Sequence, residues 1–332
     1  MGARSVTQVM TDLSIATRDH IVKGIVYQII ESNYLAKRLL GKSEGVDGGD
    51  RIRVDLEVSK ETIAWLSEWD AVTYTPSEIL DVAYYDWKWL NGSIVLSQKQ
   101  VEVQNNGKAA LFNIVKTKSK NLARTFKQGF GELLFKNAAA GANEPATLYD
   151  IIVNNTGTLA GIDPTTYTWW KAKKMAITSV TYDQWMDPAQ TYYVEAVMRA
   201  MYGALTNDSE HPTLIVTTQA IFDDYEMILH SQNRYASNSS VDGAFERLKF
   251  RGAQMVVDSN VPAGHMYFLN ENYLMFKHST NINFEMSPFE MVKTGQHAWA
   301  AELDWWGAFV CTNRAYQGVV TGIPVTSISI TP

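Results

Sequence analysis

Polar and apolar residues alternate without a break in "RIRVDLEVS" (51–59). Ile52, Val54, Leu56 and Val58 fall on one side, Arg51, Arg53, Asp55 and Glu57 on the other. A period of two is that of a strand with one buried face. Its polar side runs from two cations to two anions, which suits an antiparallel partner of the reverse order. A second strand region, "LDVAYYDWKWLNGSIVLS" (80–97), has Tyr85, Trp87 and Trp89 on alternate positions, and Asn91-Gly92 predicts a hairpin because both residues tolerate positive φ. The connector between them, "KETIAWLSEWDAVTYTPSE", sets Trp65, Trp69 and Tyr74 in a polar context. Such aromatics need a surface to bury against, and if the connector projects as an arm that surface belongs to a neighbour.

The period changes to 3.6 further on. Leu111, Val115, Leu122, Phe126, Phe130 and Leu133 trace one face of a helix over 107–137, and Lys116, Lys120, Arg124 and Lys127 step along the opposite side. At 1.5 Å per residue this rod is ~45 Å long and needs a sheet or neighbouring subunits along its apolar stripe. Residues 18–42 predict an amphipathic helix ended by Gly41, and "GVDGGD" (45–50) a flexible joint. "NAAAGANEPAT" marks a domain boundary, after which strand and helix patterns alternate. They comprise a helix at 189–205 after Asp187-Pro188, a buried strand "TLIVTT", a helix at 219–232, and strand–turn–strand in "LKFRGAQMVVDSNVPAGHMYFLN" (248–270). Strands close the chain.

Charge sharpens one element only. The net charge is −6, which disfavours a dedicated nucleic-acid binder, yet 107–137 holds seven basic residues and one acid. Its basic row is either a solvated face or a surface toward a polyanion, where Lys and Arg release counterions without reading sequence. With 46% hydrophobic and 19% charged residues the chain can bury a sizeable core. A single cysteine, Cys311, excludes an intramolecular disulfide and sits in an apolar strand pattern as a buried thiol. No run approaches the ~20 apolar residues of a membrane span, and the first residues lack a signal-peptide pattern.

Catalytic patterns are missing. "LLGKS" (39–43) ends like a phosphate loop, but Ala36 replaces the first glycine and no strand precedes it. The six histidines show no ligand spacing, and Asp81/Asp86 and Asp223/Asp224 are carboxylate pairs without a positioned partner. In the turn at 258–265, Asp258, Asn260, Pro262 and Gly264 each have a structural role in the reversal. No catalytic residue, cofactor or metal ligand is assigned.

The order of parts, together with "SNYLAKRLLGKSEGVDGGDRIRVDL", "YYDWKWLNGSIVLSQKQVEVQNNGKAALFNIV", "TLAGIDPTTYTWWKAK" and "FERLKFRGAQMVVDSNVPAGHMYFLN", resembles the major capsid proteins of tailed bacteriophages over nearly the whole chain. The resemblance implies an α+β shell subunit. Its parts are an N-terminal arm (1–45), an extended β-hairpin loop (46–83), a peripheral domain with the spine helix (84–140), an axial α/β domain (141–285) and C-terminal peripheral strands (286–332). It also implies assembly into hexamers and pentamers of an icosahedral shell around double-stranded DNA, in the host cytoplasm and then the virion. The partners implied are a portal protein, a separate scaffolding protein because the rod begins near 107, and a decoration protein, with no membrane. Lys60 lies in the loop, but no asparagine or acid is identified for a covalent crosslink, so assembly is expected to be non-covalent. The basic row, Lys116, Lys120, Arg124 and Lys127, is then expected to face the lumen or a subunit, and Trp65, Trp69 and Tyr74 to contact a neighbour. An encapsulin-type nanocompartment shares the fold and is the alternative.

Overall fold

The computed structural model describes residues 34–58, 63, 65–71, 80–102, 108–233, 248–292 and 297–325. Of the predicted N-terminal helix, the part inside this range is α1 (Tyr34–Gly41). A short strand β1 (Glu44–Val46), the strand pair β2 (Arg51–Glu57) and β3 (Leu80–Asp86), and the long strand β4 (Lys88–Ser97) follow. After α2 (Gln98–Glu102) comes the rod, α3 (Lys108–Leu134), predicted at 107–137.

β4 belongs to a five-stranded sheet with β1, β10 (Leu274–Met286), β11 (Glu290–Met291) and β12 (Ala298–Cys311). The apolar face of α3 lies on it. Phe130 meets Trp305 edge-on at 5.2 Å and Phe276 at 5.9 Å, and Phe126 meets Phe284 at 6.4 Å. Val115, Phe126, Phe130 and Leu134 are all buried, as the 3.6 period requires.

The hairpin expected at Asn91-Gly92 does not form. β4 runs straight through, with Asn91 opposite Asp304 and Gly92 opposite Leu303. Gly92 serves helix packing instead of a turn. A Cβ there would stand 2.2 Å from Phe126 Cε2 and 2.8 Å from Leu122 Cδ1, so glycine lets α3 approach the sheet. Asn91 Nδ2 donates to Asp304 Oδ1 at 2.6 Å across the ladder. Gly92→Ala, ordinarily favourable in a strand, is therefore expected to destabilise by about 1–3 kcal/mol through overpacking, read as a lower denaturant midpoint at unchanged slope.

The six-stranded sheet has the order β5 (Lys173–Ala176), β13 (Gly318–Thr321), β9 (Met266–Leu269), β6 (Leu214–Thr217), β8 (Ala253–Val257), β7 (Lys249–Phe250). Helices α4 (Tyr182–Met186), α5 (Val194–Leu205) and α6 (Gln219–Asn233) accompany it. Trp185, Met198, Ile215, Phe268 and Val320 centre its core. α5 begins later than predicted, because Asp187 first forms a turn that takes the amide of Ala189 on its carboxylate and that of Gln190 on its carbonyl.

The chain crosses between the sheets more often than its segments suggest. β10, all but its last residue within the span 141–285, pairs with β12 in the first sheet, whereas β13, within 286–332, lies between β5 and β9 in the second. The joint after α1 is likewise engaged. β1 pairs in parallel with β10, and Asp47 accepts a 2.7 Å bond from Thr280 before Gly48 and Gly49 turn the chain at positive φ. Arg38 of α1 pairs with the buried Glu271 at 2.6 Å, and Tyr34 donates to Gln254 at 2.6 Å.

Candidate assembly surfaces

β2 and β3 form a separate two-stranded ribbon, the stem of the predicted loop. Exposure alternates strictly along β2, with Ile52, Val54 and Leu56 buried. The register places Arg51 opposite Asp86, an exposed pair at 3.2 Å, so the reversed charge order is met at one end only; Glu57 faces Leu80.

The root of the ribbon is tied to the end of β12, to the glycine joint before β2 and to the loop at Ala160. Tyr85 donates its hydroxyl to the carbonyl of Cys311 at 3.1 Å and accepts from the Cys311 amide at 3.3 Å. Trp87 Nε1 donates to the Gly49 carbonyl at 2.8 Å, and the Tyr84 amide to Ala160 at 2.9 Å. Burial pushes the Cys311 thiol up to about 12 and raises the Tyr85 phenol well above its ordinary value. Cys311 is thus a protonated, inert thiol at a dry joint.

The far end of the ribbon is wet. Trp65 and Trp69 are 103% and 91% exposed, Ile63 is 95% exposed and Leu66 half so. Asp70 closes a local turn, accepting from the Ser67 amide at 2.7 Å while its own amide donates to Ser67 O at 3.1 Å. Tyr74 and Lys60 lie outside the described residues.

On α3, Lys116, Lys120 and Arg124 are exposed in one row, while the side chain of Lys127 lies outside the described residues. Two other basic residues of the segment are engaged within the chain. Lys118 reaches the Val95 carbonyl, and Lys136 pairs with Glu144 at 2.5 Å. The Gly141 amide, and then Lys136, hold the Glu144 carboxyl below its usual range.

No catalytic arrangement emerges from the acids named earlier. Asp224 is buried between α4 and α6, accepting from Tyr182 at 2.6 Å and Trp185 Nε1 at 3.1 Å; burial raises its pKa. Gln219 donates to Asp223. Asp81 bonds the Val82 amide, and Asp86 pairs with Arg51. The turn at 258–265 is a corner of the six-stranded sheet. Asp258 Oδ1 accepts from the Asn260 amide at 2.9 Å, and Gly264, at φ 71°, lies where a Cβ would stand 2.8 Å from the Ile323 carbonyl. Among the described residues, no three His, Cys, Asp or Glu side chains are grouped to hold a metal ion, and no helix is long and apolar enough to cross a membrane. A cleft of about 690 Å³ opens between the ribbon and α5, lined by Asp55, Glu57, Trp169, Tyr273 and Tyr316 among others.

Sequence reasoning missed Arg314, which is fully buried. Its Nε donates to Ile151 O at 2.6 Å, and its Nη2 to Asp150 O at 3.1 Å and Asn154 O at 2.8 Å. These carbonyls belong to the π-helical turn Tyr149–Val153 and its cap. The guanidinium stands 5.8 Å from the Trp170 ring. The local signal was Asn313, whose side chain accepts from the Ala315 amide at 3.0 Å and starts the turn that carries Arg314.

No protein-family model matches the chain, and no curated protein does. Solved structures do match. The cyanophage A-1(L) capsid asymmetric unit aligns with a TM-score of 0.66 at 15% identity, covering 89% of this chain and 93% of that one. The capsid of a native GTA particle aligns at 0.57 and 12% identity, covering 85% and 88%. An encapsulin complex from Synechococcus elongatus PCC 7942 aligns at 0.53 and 10% identity, covering 91% of each. The chain has the α+β fold of phage capsid proteins and encapsulins.

Proposed function

We propose that this chain, which carries the fold of phage capsid proteins, is the major capsid protein of a tailed bacteriophage and assembles into an icosahedral shell around double-stranded DNA. The observation that carries this reading is the ribbon tip. A folded subunit that leaves two tryptophans and an isoleucine in water beyond the end of a two-stranded ribbon has an unfilled contact. In a shell of heterologous contacts each tip is covered by another copy, and many weak contacts per subunit sum to a stable particle. Hexamers and pentamers of the chain, a portal, a separate scaffolding protein, packaged DNA held without sequence preference and a decoration protein complete the proposed set of partners. Assembly takes place in the host cytoplasm, and the subunit ends in the virion.

Electron microscopy of the purified protein, with and without scaffold, tests this. Shells, tubes or capsomer-sized rings are expected; a monomer under every condition would refute it. The likeness to an encapsulin complex supports a second reading, a nanocompartment shell. Particles from the native source distinguish the two, by nuclease-protected DNA in the first case and a protein cargo in the second.

A further inference from the structure

We propose that the cleft between the ribbon and α5 is a binding site for a small aliphatic diamine or polyamine cation, a site that stands apart from the shell reading. At about 690 Å³ the cleft has the size of a small-molecule pocket. Its negative potential has two independent sources. Asp55 and Glu57 lie on the exposed side of β2, two positions apart, so their carboxylates are spaced about 7 Å along the strand. The second source is the end of α5. Ala204, Leu205 and Thr206 line the cleft there, and the last carbonyls of a helix carry its partial negative charge, which favours a cation.

Aromatic rings select an organic cation over a metal ion. Tyr273 and Tyr316 are stacked with centroids 4.8 Å apart, and with Trp169 they line the same cleft. Ring faces attract ammonium groups within ~6 Å, and the rings give apolar cover to the methylenes between two such groups. Burial, then Glu210, Tyr316 and Glu57, raise the Tyr273 phenol above its ordinary value, so it stays neutral beside the acids. The chain's own cations leave room for a guest. Arg53 pairs with Asp55 at 2.8 Å, but both side chains are exposed and such a pair is weak. Glu57 has Leu80 opposite it in the ribbon and, among the described residues, no ion-pair partner. Lys173 is the one base among the described residues that line the cleft, set against two carboxylates and a helix terminus. A diamine with a short methylene spacer spans the two carboxylates while its chain lies on the rings.

Calorimetric titration of the full chain with butane-1,4-diamine tests this, with Mg2+ as a comparison of equal charge and no apolar body. Saturable binding at one site per chain is expected, about fivefold or more tighter for the diamine than for Mg2+. Asp55→Asn combined with Glu57→Gln should weaken the diamine about tenfold or more. Both side chains are exposed, so this variant keeps its fold, which circular dichroism checks. Tyr316→Leu should weaken the diamine about threefold or more and leave Mg2+ unchanged. Equal affinity for the diamine and Mg2+ would reduce the cleft to an acidic surface and overturn the inference; so would absence of saturable binding, or binding that the acid variant retains. Loss of diamine binding on assembly, together with a lower particle yield from the acid variant, would assign the cleft to a basic side chain of a second copy and overturn it too. The titrations are made on the free subunit, so their result and the outcome of the assembly experiment are read separately.

Discussion

Arg314→Met is expected to destabilise the subunit by about 3 kcal/mol, lowering its unfolding temperature by roughly 4 °C. Two effects oppose each other. Removing a buried guanidinium relieves its desolvation, which draws the Arg314 pKa below its ordinary value. Against this, the buried Ile151 carbonyl and the partly buried carbonyls of Asp150 and Asn154 lose their charged donor. A fully buried orphaned carbonyl such as that of Ile151 costs roughly 1–3 kcal/mol and the two partly buried ones less each, and together they outweigh the relief. Arg314→Lys separates charge from geometry, because a lysine head is one point with three donors and cannot span the turn as the planar fork does. It should recover only part of the loss. A methionine variant as stable as the wild type in thermal unfolding would show that the turn satisfies itself without Arg314.

Trp65→Ala combined with Trp69→Ala should leave the isolated subunit as stable as before, within about 0.5 kcal/mol, and yet abolish particle formation. Both side chains are already in water, so their removal takes nothing from the monomer core. At a contact each buried tryptophan is worth about 2 kcal/mol or more, which is close to thirtyfold per site. A shell repeats that loss at every subunit. Sedimentation of the double variant beside the wild type measures it, and undiminished particles would remove the tip from the contact.

Periodicity revealed the elements that need few long-range contacts to define them. The alternation of Arg51–Glu57 and the 3.6 step of Val115, Phe126 and Phe130 both appear in the structure with the buried faces predicted. Asn91-Gly92 was misread because a glycine that bends a chain and a glycine that admits a helix are the same residue in one dimension. Asn91 and Gly92 have partners more than two hundred residues and more than thirty residues away, respectively. The tip was legible as aromatic residues in a polar connector, but its exposure depended on where the ribbon ends.

The sequence by itself determined the main strands and helices, that one helix carries a basic row, that the loop carries aromatics with no local cover, and that no familiar catalytic spacing is present. Those properties are local, set by the side-chain period and by residue chemistry within a few positions. Tertiary structure alone decided that β10 and β13 exchange the sheets their neighbours in sequence suggest, and that Arg314 is the buried donor to a distant turn. It also placed Trp65 and Trp69 in water at the end of a stem rooted by Tyr85 on Cys311. Sheet order, burial of a cation and exposure of an apolar tip depend on contacts between residues far apart in the chain, and their free energy is defined only once the chain has closed on itself.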